Sequence, residues 1–205
     1  MSTLIMPVMA IARHRMATDG VGVTTLVVSQ GCPLRCKWCI NPFTWSEEKK
    51  AKRYAPQALL DELKIDDLYF RATGGGITFG GGEPLLYADF IAEFRRIAPE
   101  EWKINIETSL NVPRQNLLTA LTAADNLIVD IKDTDPDLYL RYTGQPIDSA
   151  MENLIAARDI LGTEHIRVRI PLIPEFNTPE DQQRSAEKLR ALGFSDLDLF
   201  SYQIK

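Results

Sequence analysis

The run NLIVDIK, residues 126–132, puts Leu127, Val129 and Ile131 on one side of an extended segment and Ile128, Asp130 and Lys132 on the other. The same division recurs in KINIE (103–107), where Ile104 and Ile106 oppose Asn105 and Glu107. It recurs again in HIRVRI (165–170), where Ile166, Val168 and Ile170 oppose His165, Arg167 and Arg169. The apolar sides suit a layer of helices. The polar sides share a common interior. A closed barrel fills its interior with branched apolar side chains. Charged groups in that position need partners or a bound polar ligand. One face left to solvent is common in antiparallel sheets but rare in parallel ones. The alternation therefore predicts a ligand cavity, open at one side.

Outward from these three strands, VTTLVVS (23–29), ITFGG (77–81) and DLDLFSY (196–202) complete a set of six short strands. Helical spacing lies between them at 56–70, 87–97, 113–124, 149–161 and 179–192. Pro56 suits a first helical turn, and Ser149 and Thr178 are candidate caps. Six βα units in series predict an α/β chain with parallel strands. A full barrel of eight units takes about 250 residues, so 205 residues predict a partial, open (β/α)6 barrel forming a single domain over 1–205. A doubly wound open sheet is the alternative.

The formal net charge of −5, with 45% hydrophobic residues, argues against a non-specific nucleic-acid binder. No apolar run reaches the roughly 20 residues of a membrane span, and the N-terminus lacks a secretory pattern. A cytoplasmic protein is expected.

All three cysteines fall in SQGCPLRCKWCINP, residues 29–42, at Cys32, Cys36 and Cys39. An odd cluster of thiols is a poor disulfide framework. A structural zinc site needs a fourth ligand, and His14 and His165, the only histidines, stand at no zinc-finger spacing. Three thiolates on a [4Fe–4S] cluster would leave one iron without a protein ligand, free to bind a substrate. A zinc-binding interaction module remains the non-catalytic alternative.

The spacing C-x3-C-x2-C, with Trp38 before the last cysteine, resembles the cluster loop of radical S-adenosylmethionine enzymes. Asp19, Gly20 and Gly22, followed by Gly31 to Pro42, resemble more narrowly the activating enzymes of glycyl-radical enzymes, such as pyruvate formate-lyase activase. Gly81, Gly82, Glu83 and Pro84 are similar to the G-G-E-P motif of the same family. The resemblance implies one [4Fe–4S] cluster on Cys32, Cys36 and Cys39, with S-adenosylmethionine on the open iron. It implies a 5′-deoxyadenosyl radical that takes hydrogen from a glycine of a partner glycyl-radical enzyme, and a flavodoxin- or ferredoxin-type electron donor. The same radical chemistry on a small molecule, peptide or nucleotide precursor is the alternative within the family. Residues 43–73 hold no cysteine, so a single cluster is expected.

The resemblance also assigns cofactor contacts. Gly81, Gly82 and Glu83 would take the methionine ammonium, and Trp38 would lie by adenine. Asp130 and Lys132 match the family's D-x-K. Arg169, in a segment resembling R-I-P-x-I-P-G-x-N, would join Lys132 at the carboxylate. Glu107, Thr108 and Asp130 match a monovalent-cation site, with Glu where the family has Asp. Glu175 replaces a frequent glycine. Gln203 stands where a histidine near the ligand is usual, and relatives commonly continue beyond Lys205.

Overall fold

The computed structural model describes residues 4–16, 18–46 and 51–202. Eight strands form one sheet: β1 (Met6–Met16), β2 (Val23–Ser29), β3 (Lys52–Tyr54), β4 (Gly76–Gly80), β5 (Lys103–Thr108), β6 (Asn126–Asp130), β7 (Ile166–Leu172) and β8 (Leu197–Ser201). Their spatial order is β3-β1-β2-β4-β5-β6-β7-β8. From β2 to β8 every neighbour is parallel. These six strands are the six expected from sequence, and the sheet they form is curved but not closed. β1 and β3 extend it antiparallel beyond β2. Sequence reading did not anticipate that extension.

Seven α-helices accompany the strands: α1 (Pro56–Leu63), α2 (Asp67–Thr73), α3 (Ala88–Ile97), α4 (Arg114–Leu121), α5 (Pro136–Thr143), α6 (Asp148–Leu161) and α7 (Pro179–Ala191). Pro56 opens α1 as expected. Thr178 caps α7 in a reciprocal box with Asp181, which satisfies two N–H groups that the helix itself cannot. Ser149 is not a cap. α6 begins one residue earlier, with Asp148 in its first turn and Ile147 before it; a carboxylate there is favoured by the helix dipole. The helix expected over 56–70 is broken by a 3-10 turn at Lys64–Asp66. The turn carries Asp66 inside, where Arg13 and Thr25 donate to its carboxylate at 2.5 and 2.8 Å.

The apolar strand sides meet the helices. Ile104, Ile106, Leu127, Val129, Val168 and Ile170 join Phe90, Phe94, Leu117, Leu154 and Leu189 in one core. Phe79 and Phe94 pack edge to face at 5.5 Å. Burying each such side chain contributes about 1.5–3 kcal/mol, which fixes the strand register and with it the direction of the polar sides. Asn105, Glu107, Asp130 and Arg169 point to the concave side. Lys132 lies two residues past the end of β6 and still turns inward, 9% exposed. His165 departs from the alternation: it sits in a 3-10 turn before β7, half exposed. No helix among the described residues is long and apolar enough to cross a membrane.

Candidate active site

The cysteine loop leaves the C-terminal end of β2, where open parallel sheets place ligand sites. Backbone hydrogen bonds seat it on two sides. Glu83 N donates to Gly31 O at 2.7 Å, joining it to the loop after β4. Arg35 N and Lys37 N donate to Thr143 O and Tyr142 O, joining it to the end of α5. Asn41 adds a side-chain clamp, its amide donating to Gly81 O at 3.3 Å. Close approach explains the glycines between these loops. A Cβ at Gly82 would lie 2.3 Å from Gly31 O, and Gly81 has φ +85°, where a Cβ would also strike Val28.

Cys36 is buried, and Cys32 and Cys39 are half-buried. They pack with Leu34, Trp38, Tyr142, Ile173 and Tyr202. Burial pushes the Cys32 thiol up to about 12, with the Glu83 charge adding to it. Burial raises Cys36 and Cys39 as well, against the pull of Lys132. Thiolates in such surroundings need a cationic centre. Among the described residues, no three His, Cys, Asp or Glu side chains are arranged to hold a single metal ion. A structural zinc site takes four protein ligands, whereas three cysteines suit an iron–sulfur cluster that keeps one iron for another ligand. The buried Trp38 indole N–H beside these sulfurs has no acceptor, as expected where a cofactor supplies one.

A small hollow of about 100 Å³ is bounded by Cys32, Cys36, Cys39, Gly81 and Gly82. A cleft of about 550 Å³ lies beside it, reaching Arg15, Arg169, Asp198 and Phe200. Ile40, Asn41, Glu107, Asp130, Lys132 and Tyr202 line both, so the two form one space. Its size suits a small ligand. A further hollow of about 420 Å³ at the opposite strand ends, by Asn126 and His165, holds no cysteine.

The interior charges are paired. Lys132 Nζ lies 3.2 Å from Asp130, with the Tyr202 ring 6.0 Å from the ammonium. Burial opposes the Lys132 charge, but Asp130 and its neighbours raise the pKa well above the ordinary lysine value. Arg169 donates to Glu107 at 2.7 Å and to Thr18 O, with Asp198 3.8 Å away. Arg15 pairs with Asp19.

Burial pushes Glu107 up to about 7, with Asp130 and Asp19 adding and Arg169 and Lys132 opposing. The folded chain then holds a proton that the unfolded chain, near 4.5, has released. Stability from this group therefore falls as pH rises from about 4.5 to about 7. Glu107→Gln should remove up to about 3 kcal/mol of that slope. Urea unfolding at a series of pH values checks this; parallel curves for the two proteins would refute it.

Most sequence-predicted residues meet in this space. Two side chains do something additional. Glu83 is 1% exposed, and its carboxylate accepts from Thr108 Oγ1 (2.6 Å), Ser109 N (3.0 Å), Ser109 Oγ (2.7 Å) and Leu85 N (3.2 Å). Thr108 is thus engaged with Glu83. Gln203 lies outside the described residues. Arg15, Ser109, Tyr142 and Tyr202 were not singled out from sequence. For Tyr142 a signal existed: Asp135-Pro136 and Gly144 bracket α5 as start and stop residues.

The family model described as Radical SAM superfamily matches residues 26–189. A pyruvate formate-lyase-activating enzyme from Clostridium pasteurianum is 29% identical over 90% of this chain and 81% of its own. A (2S)-3-sulfopropanediol dehydratase activating enzyme from Klebsiella oxytoca is 27% identical over 78% of this chain and 69% of its own. Among solved structures, Streptococcus suis SuiB bound to S-adenosylmethionine superposes with a TM-score of 0.68, covering 93% of this chain and 42% of that one at 14% identity. That likeness concerns the fold.

Proposed function

The chain belongs to the Radical SAM superfamily, and we propose that it is an activating enzyme that installs a glycyl radical on a partner protein. The observation that carries the reading is the seating of the cysteine loop. Asn41 and the Glu83 amide tie the cysteine loop to the Gly81–Glu83 loop, and the three cysteines, Gly81, Gly82 and the Asp130–Lys132 pair line one continuous space. The glycyl-radical target is supported by relatives named as activating enzymes that match most of the chain.

Bound there, a [4Fe–4S] cluster and S-adenosylmethionine would supply the one-electron reduction and radical chemistry needed to take a hydrogen atom from glycine. The chain's own residues bind and orient. Cys32, Cys36 and Cys39 would be the cluster's protein ligands, one fewer than its four irons, which is what cofactor binding requires. Gly81, Gly82 and Glu83 form the ammonium side of the ligand site. Lys132 and Arg169 supply positive charge for a carboxylate. Trp38 offers an aromatic face near adenine, and Asp130 keeps Lys132 charged and in place. A monovalent cation at Glu107, Thr108 and Asp130 would compete with Arg169 for Glu107 and with Lys132 for Asp130. No protein base is required, because hydrogen leaves as an atom.

The single domain works in the cytoplasm and draws its electron from a flavodoxin- or ferredoxin-type donor. The test is a turnover assay. The reconstituted, reduced protein is mixed anaerobically with S-adenosylmethionine and candidate glycyl-radical proteins, and electron paramagnetic resonance is recorded. A glycyl signal on one candidate is expected. Cofactor cleavage with no protein radical on any of them would favour a small-molecule or peptide substrate.

A further inference from the structure

We propose that Asn153, on α6, is a positioning residue for the ligand site, acting through the turn that follows β5. The proposal rests on reading the Gly81–Glu83 loop as part of the S-adenosylmethionine site. Asn153 sits within α6 at 2% exposure, facing the core. Asparagine is a poor helix former, and a buried amide must be hydrogen-bonded. Its Nδ2 donates to Leu110 O and to Val112 O, both at 2.9 Å. Those two carbonyls flank a strained turn. Leu110 is fully buried with φ +57°, a left-handed conformation that a leucine rarely adopts. Such a conformation persists only where its surroundings enforce it.

The turn has a direct effect on the site. Leu110 N donates to Thr108 Oγ1 at 2.9 Å, which orients the Thr108 hydroxyl toward Glu83 Oε1. Ser109, beside Leu110, gives its N–H and its hydroxyl to Glu83 Oε2. Three of the four donors on Glu83 therefore come from Thr108 and Ser109, which lead directly into the turn that Asn153 clamps. Glu83 N in turn holds Gly31 of the cysteine loop. A helix on the outer layer thus sets the separation between the ligand-binding glycines and the cysteines, although its side chain touches neither.

The test compares Asn153→Ala and Ser109→Ala with the wild-type holoenzyme, anaerobically reconstituted. Iron content, thermal unfolding, amide hydrogen exchange, and S-adenosylmethionine affinity from its perturbation of the reduced-cluster resonance are measured. Both variants should keep full iron. Asn153→Ala should melt only a few degrees lower. Its exchange should quicken at residues 109–112 and 83–85, with β6 unchanged. Affinity should weaken about tenfold or more in both, since small displacements at a site are expensive. Faster exchange confined to α6, or faster exchange at 109–112 with unchanged affinity, would overturn the proposal. If wild-type protein itself fails to bind S-adenosylmethionine, the functional reading fails; exchange at 83–85 still decides whether Asn153 controls the Glu83 loop. Should Asn153→Ala not fold, Asn153→Ser, which shortens the side chain so that it no longer reaches both carbonyls, carries the same exchange and affinity tests.

Discussion

Cys36→Ala should lose the iron–sulfur cluster and S-adenosylmethionine cleavage together, while the domain stays folded. The chain has three cysteines and no spare. Removing one leaves two protein ligands for a centre that already lacks a fourth. Cys36 is the most buried of the three and the one on which the Lys132 charge acts most directly. The structural loss is small by comparison, since cysteine packs as a small hydrophobe and the loop keeps its backbone bonds to Glu83, Tyr142 and Thr143. Wild-type protein reconstituted anaerobically should carry about four irons per chain and a brown colour. The variant should carry almost none, melt within a few degrees of wild type, and show no cleavage above background. Iron and cleavage retained at wild-type levels would refute the ligand assignment. One zinc and no iron in the wild type would refute the cluster itself.

The elements that sequence revealed are those whose information is local. β5, β6 and β7 announce themselves because Ile, Val and Leu alternate with Asn, Glu, Asp and Arg at a period of two. The cysteines announce themselves by spacing. β1 did not, although it is the longest strand at 11 residues. MPVMAIARHRM lacks clean alternation, carries register shifts, and has His14 at φ +55°; its state is fixed by pairing with β2. β3 is too short, at three residues, to show any period. The site divides in the same way. Asp130, Lys132 and Arg169 could be placed inside from strand alternation. That Arg169 meets Glu107 across 62 positions, or that Asn153 meets Leu110 across 43, depends on the curvature of the sheet and the docking of α6. A single sequence does not carry those distances.

Glu83→Ala should be the most destabilising single change in the site, and Glu83→Gln clearly less so. The carboxylate accepts four hydrogen bonds in a place sealed from water. Burial alone raises its pKa, and the Thr108, Ser109 and Leu85 donors pull against that rise. Alanine removes the acceptor from all four. The two hydroxyls can rotate to other partners, but Leu85 N and Ser109 N are fixed by the backbone. Each unsatisfied buried donor costs about 1–3 kcal/mol, so a loss of about 3–5 kcal/mol is expected, a large part of the 5–15 kcal/mol that a domain of this kind has. Glutamine keeps one oxygen for Thr108 and Leu85 while turning an N–H₂ toward Ser109 N, a donor against a donor. The Ser109 hydroxyl can reverse and accept, which limits the loss to about 1–2 kcal/mol. Both variants should bind S-adenosylmethionine weakly, because the loop that carries Gly81 and Gly82 loses its anchor on β5. Urea unfolding decides the ranking. A cost below about 1 kcal/mol for Glu83→Ala would mean that the four bonds add nothing net, and that other contacts hold the loop.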